Sequence, residues 1–200
     1  MSKLTELYDK IAQCHDCSLA KTRFKVVPGE GREDADILFI GEAPGWHENQ
    51  QGRPFVGPAG QFLDELLASI GLQRTDVYIA NVIKCRPPNN RDPLPPEIEA
   101  CASFLDRQLE MIVPRVIVTL GRFSMAKFFP GESISRIHGT ARKRGGTLLF
   151  PMYHPAAALH QPSLRKILET DMLKIPPLLA KVADVPAAQE TEEIKQLSLF

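Results

Sequence analysis

Four cysteines, Cys14, Cys17, Cys85 and Cys101, are the most chemically specific residues in this chain. Cys14-His15-Asp16-Cys17 is a C-x-x-C, a spacing used by metal ligands and by redox dithiols alike. A thioredoxin-type pair would open a helix just after a strand. This pair instead follows a short amphipathic segment, residues 4–11, and precedes a polar loop. Cys85 and Cys101 have fifteen residues between them. Four thiols with none left over suit one four-sulfur site, holding either zinc or an iron–sulfur cluster. Zinc sites built from four cysteines usually show two close pairs. Only one pair is close here, which favours the cluster. Four buried, unligated cysteines are the plainer alternative.

A second set of chemically able residues follows the apolar runs. Asp36-Ile37-Leu38-Phe39-Ile40 leads into Gly41-Glu42-Ala43-Pro44-Gly45. The run at 77–83 contains Asn81, the run at 115–120 ends at Gly121, and the run at 147–152 leads into Tyr153-His154-Pro155. The Gly41 to Gly45 turn is neither a Walker A loop nor G-x-G-x-x-G, so the usual nucleotide signals are missing. Its glycines let backbone approach a ligand closely. Asn81 offers a donor and an acceptor together. His154 can donate a hydrogen bond to developing negative charge, and Phe55 offers an aromatic face. A ring, a carboxamide and an imidazole suit a planar heterocycle such as a nucleobase. Each residue alone has an ordinary structural use; the argument rests on their shared place at strand ends.

The elements that must position these residues can be read from periodicity. The four apolar runs read as buried strands. Ala59, Phe62, Leu63, Leu66, Leu67 and Ile70 recur at helical spacing, and Gly71 suits a helix stop. Residues 41–58 read as a loop rich in Gly and Pro, and a Pro-rich loop precedes a helix at about 97–112. A short helix is expected at 123–129 and a last one at about 163–181. Strands that alternate with helices and are apolar throughout indicate a parallel sheet covered on both faces. The expected fold class is α/β: a three-layer α/β/α sandwich around a central, mostly parallel four-stranded sheet. Sites in such folds lie beyond the carboxyl ends of the strands.

Composition sets the outer limits. Two hundred residues, 44% apolar and 24% charged, suit one globular domain. No apolar run approaches the roughly 20 residues of a membrane span, and residues 1–6 contain no apolar leader. A cytoplasmic, monomeric protein with reduced cysteines is expected. The 24 basic and 24 acidic residues cancel, which excludes a protein that coats nucleic acid by charge alone. Residues 182–200 hold Asp184, Glu190, Glu192 and Glu193 against Lys195, leaving 23 basic and 20 acidic residues, or +3, for the body. The chain thus divides into a domain at 1–181 and a flexible acidic tail at 182–200. Gln196-Leu197-Ser198-Leu199-Phe200 places apolar residues in that polar stretch, which suits a peptide that docks in a partner's pocket or folds back on the domain.

Taken together, these motifs resemble the family 4 uracil-DNA glycosylases, iron–sulfur members of the uracil-DNA glycosylase superfamily. The matching pieces are Gly41 to Gly45, Gly52-Arg53-Pro54-Phe55-Val56-Gly57, Asn81-Val82-Ile83-Lys84-Cys85-Arg86-Pro87-Pro88 and His154-Pro155-Ala156-Ala157, with all four cysteines in order. The resemblance covers roughly residues 4–181. It implies cleavage of the N-glycosidic bond of uracil in DNA, initiating base excision repair, and a 4Fe–4S cluster held by Cys14, Cys17, Cys85 and Cys101. It further implies that Phe55 stacks on a flipped uracil, Asn81 reads its pyrimidine edge, and His154 stabilises the departing anion at O2. Gly41, Glu42 and Ala43 would line the pocket, with Glu42 near the attacking water. This sequence carries Glu42 where better-known relatives carry aspartate, and Trp46-His47-Glu48-Asn49 where acidic residues often follow. Residues 156–164 read either as a loop entering the DNA minor groove, with Leu159 as a wedge and Arg165 on DNA, or as an ordinary loop at a helix start. Lys21, Arg23, Lys25, Lys84, Arg86, Arg91 and Arg142-Lys143-Arg144 are candidates for phosphate contacts. The terminal peptide resembles the bacterial sliding-clamp-binding motif, through Gln196, Leu197, Leu199 and Phe200. Two other readings stay open: a non-catalytic iron–sulfur DNA-binding accessory, and a glycosylase for another deaminated base.

Overall fold

A computed structural model describes residues 2–183. The tail and its terminal peptide lie outside the described residues. Six strands form one mixed sheet: β1 (Glu30–Gly31), β2 (Ile37–Gly41), β3 (Tyr78–Asn81), β4 (Val116–Leu120), β5 (Arg142–Arg144) and β6 (Thr147–Met152). Their spatial order is β1-β3-β2-β4-β6-β5. The inner four, β3-β2-β4-β6, are parallel, and they are the four strands legible as apolar runs. The sheet is larger than the four strands expected, because β1 and β5 add antiparallel edges. Neither edge had a hydrophobic signal: β1 is two residues long, and every residue of β5 is exposed. Charged, short edge strands also discourage pairing between molecules.

Nine helices are described: α1 (Lys3–Gln13), α2 (Trp46–Gln51), α3 (Pro58–Ser69), α4 (Pro95–Ile112), α5 (Arg122–Phe128), α6 (Ile134–Ile137), α7 (Pro155–His160), α8 (Ser163–Met172) and α9 (Ile175–Ala183). Successive β2 residues point to opposite faces. Leu38 and Ile40 join a core with Leu4, Leu7, Ile11 and Leu105, under α1 and α4. Ile37 and Phe39 join a second core with Phe62, Leu63, Leu168 and Met172, under α3 and α8. Two cores on one sheet make the expected three-layer sandwich.

Three helical expectations are corrected. The single helix at 163–181 is two, α8 and α9, because Pro176 and Pro177 cannot sit inside a helix and instead follow the start of a new one. The loop at 41–58 contains α2, whose polar sequence WHENQQ hides it. The segment at 156–164 is not all loop: residues 156–160 belong to α7 and 163–164 open α8. Gly71, with φ +75°, does sit just past α3 in the left-handed region that stops a helix.

Candidate functional site

The chain passes from β2 to β3 on one side and then to β4 on the other, so the strand order reverses at β2. A crevice forms beyond the carboxyl ends at such a point. Here it is a cleft of about 370 Å³ lined by Glu42, Ala43, Pro44, Gly45, Glu48, Phe55, Ala59, Asn81, Pro87, Asn90, Arg91, His154 and Ala156. Five of the six residues expected around the base line it: Glu42, Ala43, Phe55, Asn81 and His154. Gly41 lies behind them. A Cβ at Gly41 would stand 2.3 Å from Asn81 Oδ1 and 2.6 Å from Phe55 Cζ, so only glycine allows the ring and the carboxamide to close over β2.

Asn81 ends β3 and is buried, yet its Oδ1 has no hydrogen-bond partner among the described residues. An unpaired buried acceptor costs on the order of 1–3 kcal/mol and calls for an outside donor. Its own backbone carbonyl accepts from Lys84 Nζ at 2.8 Å. Lys84 is buried, donates also to Gln108 Oε1 at 2.6 Å, and is therefore no phosphate contact.

His154 is placed by the turn from β6 into α7. Its Nδ1 accepts the Ala156 amide at 3.1 Å, capping α7. A nitrogen that accepts carries no proton, so neutral His154 holds its proton on Nε2 as a donor. Burial pushes its pKa down to about 4, opposed by the nearby negative charge of Glu48. Phe55 stacks against the imidazole, with ring centroids 5.5 Å apart and planes 25° apart. Burial, then repulsion by Asp92, raises the Glu42 pKa to about 7, and Arg122 pulls the other way. Arg122 and Asp92 are themselves ion-paired.

Phe55 has φ +52°, a left-handed backbone that costs a bulky residue on the order of 1–3 kcal/mol. The loop is gripped on both polar sides. Glu48 Oε1 accepts the amides of Val56 and Gly57, each at 2.9 Å. Arg74 donates to the carbonyls of Pro54 at 2.5 Å and Phe55 at 2.9 Å. Sequence reasoning gave neither Glu48 nor Arg74 a role, since nothing in their local spacing marks them.

All four cysteines line one mostly apolar cavity, with Ile11, Leu19, Arg23, Ile83, Lys84 and Phe104. They are free thiols. Arg23 Nη1 donates to Cys85 Sγ at 3.4 Å, and the Lys84 amide donates to Cys101 Sγ at 3.3 Å. Burial raises the thiols of Cys14, Cys85 and Cys101, the last to about 11. Among the described residues, no three His, Cys, Asp or Glu side chains converge on a point that would hold a single metal ion. Four thiols ringing a cavity, with a guanidinium donor on one and a backbone amide donor on another, fit a larger cluster better than one ion.

Of the expected DNA contacts, Leu159 and Arg165 lie away from the cleft lining. Leu159, on α7, is 49% exposed. Arg165 pairs with Glu65 and Glu169 and lies over the Phe62 ring at 4.5 Å. Arg91 lines the cleft but also pairs with Glu97.

A three-layer sandwich with this cleft at its strand ends defines a class. Residues 28–175 match the family model of the uracil-DNA glycosylase superfamily, and the chain belongs to that superfamily. Within it, the chain is similar to proteins named type-4 uracil-DNA glycosylase. That of Archaeoglobus fulgidus is 50% identical over 90% of this chain and 96% of its own. That of Sulfurisphaera tokodaii is 49% identical over 88% and 84%, and that of Thermotoga maritima 44% identical over 86% and 93%.

Proposed function

We propose that this protein is a uracil-DNA glycosylase acting as a monofunctional N-glycosyl hydrolase, and that the cleft at the ends of β2, β3 and β6 is its active site. The observation that carries the reading is the convergence of Phe55, Asn81 and His154, far apart in the chain, on one cleft. The extruded uracil stacks on Phe55. Asn81 Oδ1 accepts from the uracil N3–H, which supplies its missing partner, and the side-chain amide donates to O4. Cytosine has no N3–H and presents donors at its exocyclic position, so it leaves Asn81 unsatisfied.

Breaking the C1′–N1 bond sends the electron pair to the base and leaves positive charge on the sugar. His154 Nε2–H donates to O2 as that anion forms, an interaction strongest in the transition state. A neutral imidazole does this without giving up its proton. Water adds to C1′, and the Glu42 carboxylate takes the proton that water releases. Leu159 enters the minor groove where the base has left. Arg165 meets DNA by exchanging its carboxylates for phosphate.

Cys14, Cys17, Cys85 and Cys101 hold an iron–sulfur cluster of the 4Fe–4S type, whose chemistry here is cross-linking chain segments rather than reacting with uracil. Residues 1–181 are taken as the glycosylase domain of a cytoplasmic monomer. The reading of Gln196, Leu197, Leu199 and Phe200 as a sliding-clamp peptide rests on sequence alone; deleting 196–200 should abolish clamp binding and spare excision on short DNA.

The test is single-turnover excision on uracil DNA with Asn81→Ala and His154→Ala beside the parent. His154→Ala should lose roughly 10²–10³ in rate by analogy with other lost oxyanion donors. Asn81→Ala should narrow the preference for uracil over cytosine. Unchanged rates in both variants would rule the cleft out.

A further inference from the structure

We infer that Arg74 is a positioning residue for base binding: it holds the Phe55 ring in its working orientation by capturing the loop's carbonyls from behind. The inference rests on the reading that Phe55 stacks on the extruded base. It goes beyond that reading by assigning the residue that keeps the ring in place.

A bulky side chain at φ +52° persists only where its surroundings over-determine it. The immediate neighbours of Phe55 do so on two sides. The amides that follow, of Val56 and Gly57, are held by Glu48. The carbonyls of Pro54 and Phe55 go to the two terminal nitrogens of one guanidinium, that of Arg74. Its planar fork can serve two carbonyls at once, which an ammonium cannot do in the same geometry. Arg74 is in turn fixed by Asp64, at 3.0 Å, and Glu30, at 3.5 Å, and its side chain is only 18% exposed. Glu30 also takes Arg53 in a bidentate pair, so β1 ties down both flanks of the loop. Arg74 does not line the cleft. It therefore acts through the Phe55 backbone, with no contact to the base.

Stacking is present before and during bond cleavage, so its loss raises KM more than it lowers kcat. The test is a double-mutant cycle on full-length protein with uracil-containing DNA, using Arg74→Met, Phe55→Leu and the pair. Arg74→Met should raise KM roughly tenfold with kcat within about threefold. Arg74→Lys should recover part of the loss, as one donor reaches one carbonyl. In the Phe55→Leu background, Arg74→Met should add less than about twofold, because its target is gone. Equal effects of Arg74→Met in both backgrounds, or an unchanged KM in folded protein, would overturn the inference. If Phe55→Leu itself leaves KM unchanged, the stacking reading fails instead, and the inference with it. Should Arg74→Met not fold, Glu30→Gln carries the same cycle: it keeps the guanidinium and removes one anchor, and a KM rise confined to the Phe55 background is the supporting result. A rise that is equal in both backgrounds counts against it.

Discussion

His154 shows how one residue's placement selects its chemistry. Because the Ala156 amide points at Nδ1, the neutral ring must carry its proton on Nε2. Burial keeps that form down to about pH 4. Protonation would put an N–H against the Ala156 N–H and break the cap. The folded pKa lies below the ordinary histidine value near 6.5. Between about 4 and 6.5 the unfolded chain therefore binds the extra proton, and stability falls as pH falls through that window. Denaturant midpoints measured from pH 7 down to 4 should drop more steeply for the parent than for His154→Asn, which has no such proton to bind. Glu42 works the opposite way. Its pKa of about 7 means that the base form appears only as pH rises. Single-turnover excision should climb with a midpoint near 7 and then level off, and Glu42→Gln should flatten the profile. A parent profile that is already flat across that range would reduce Glu42 to a pocket wall. Phe55, Asn81 and His154 were legible as a set because each follows a strand-end or glycine signal. Glu48 and Arg74 were not, because their targets are backbone groups of a distant loop, and backbone polarity leaves no trace in sequence.

At the scale of elements, glycine placement determines how close α3 comes to the site. Gly60, in its first turns, faces the Phe55 carbonyl, and a Cβ there would stand 1.8 Å from that oxygen. Alanine normally stabilises a helix interior by roughly 0.8–1.0 kcal/mol over glycine. The clash is with backbone that Arg74 and Glu48 hold from both sides, so it cannot relax cheaply. The clash should win, and Gly60→Ala should destabilise by roughly 1–3 kcal/mol. It should also raise KM, measured beside thermal unfolding. The same scale explains what periodicity could reveal of the fold. Four strands buried on both faces read as continuous apolar runs, and α3 and α4 carry clear helical stripes. Arg142-Lys143-Arg144 forms β5 by backbone pairing to β6, and every one of its residues is exposed. No pattern of side-chain polarity can report a strand made that way. The break between α8 and α9 was readable in Pro176-Pro177, whose ring geometry forbids a continuous helix.

Across the whole molecule, the thiol cavity and the cleft are separate centres, joined along the chain by the segment after β3 and across it by the Arg91–Glu97 ion pair. They share no lining residue. Asn81 ends β3, and Lys84 and Cys85 follow within four positions. The cavity gathers α1, the loop after it, the segment after β3 and α4, none of which supplies Phe55 or His154. A cluster bound there would link chain separated by up to 87 residues and constrain the unfolded state accordingly. Its removal should therefore cost stability more than chemistry. Stripping iron with a chelator, or Cys101→Ser, should bleach the visible absorption and lower the thermal midpoint. The kcat of the remaining folded protein should stay within roughly tenfold of the parent at a temperature well below that midpoint, because no donor to the base is lost. KM is the more sensitive quantity. Lys84 links the Asn81 carbonyl to Gln108, and its amide is bonded to Cys101, so loosening the thiol loop should displace Asn81, the residue proposed to read the pyrimidine. A raised KM with weaker rejection of cytosine is the expected signature. A fall in kcat of a hundredfold or more in folded, iron-free protein would instead place the cluster in the chemistry itself.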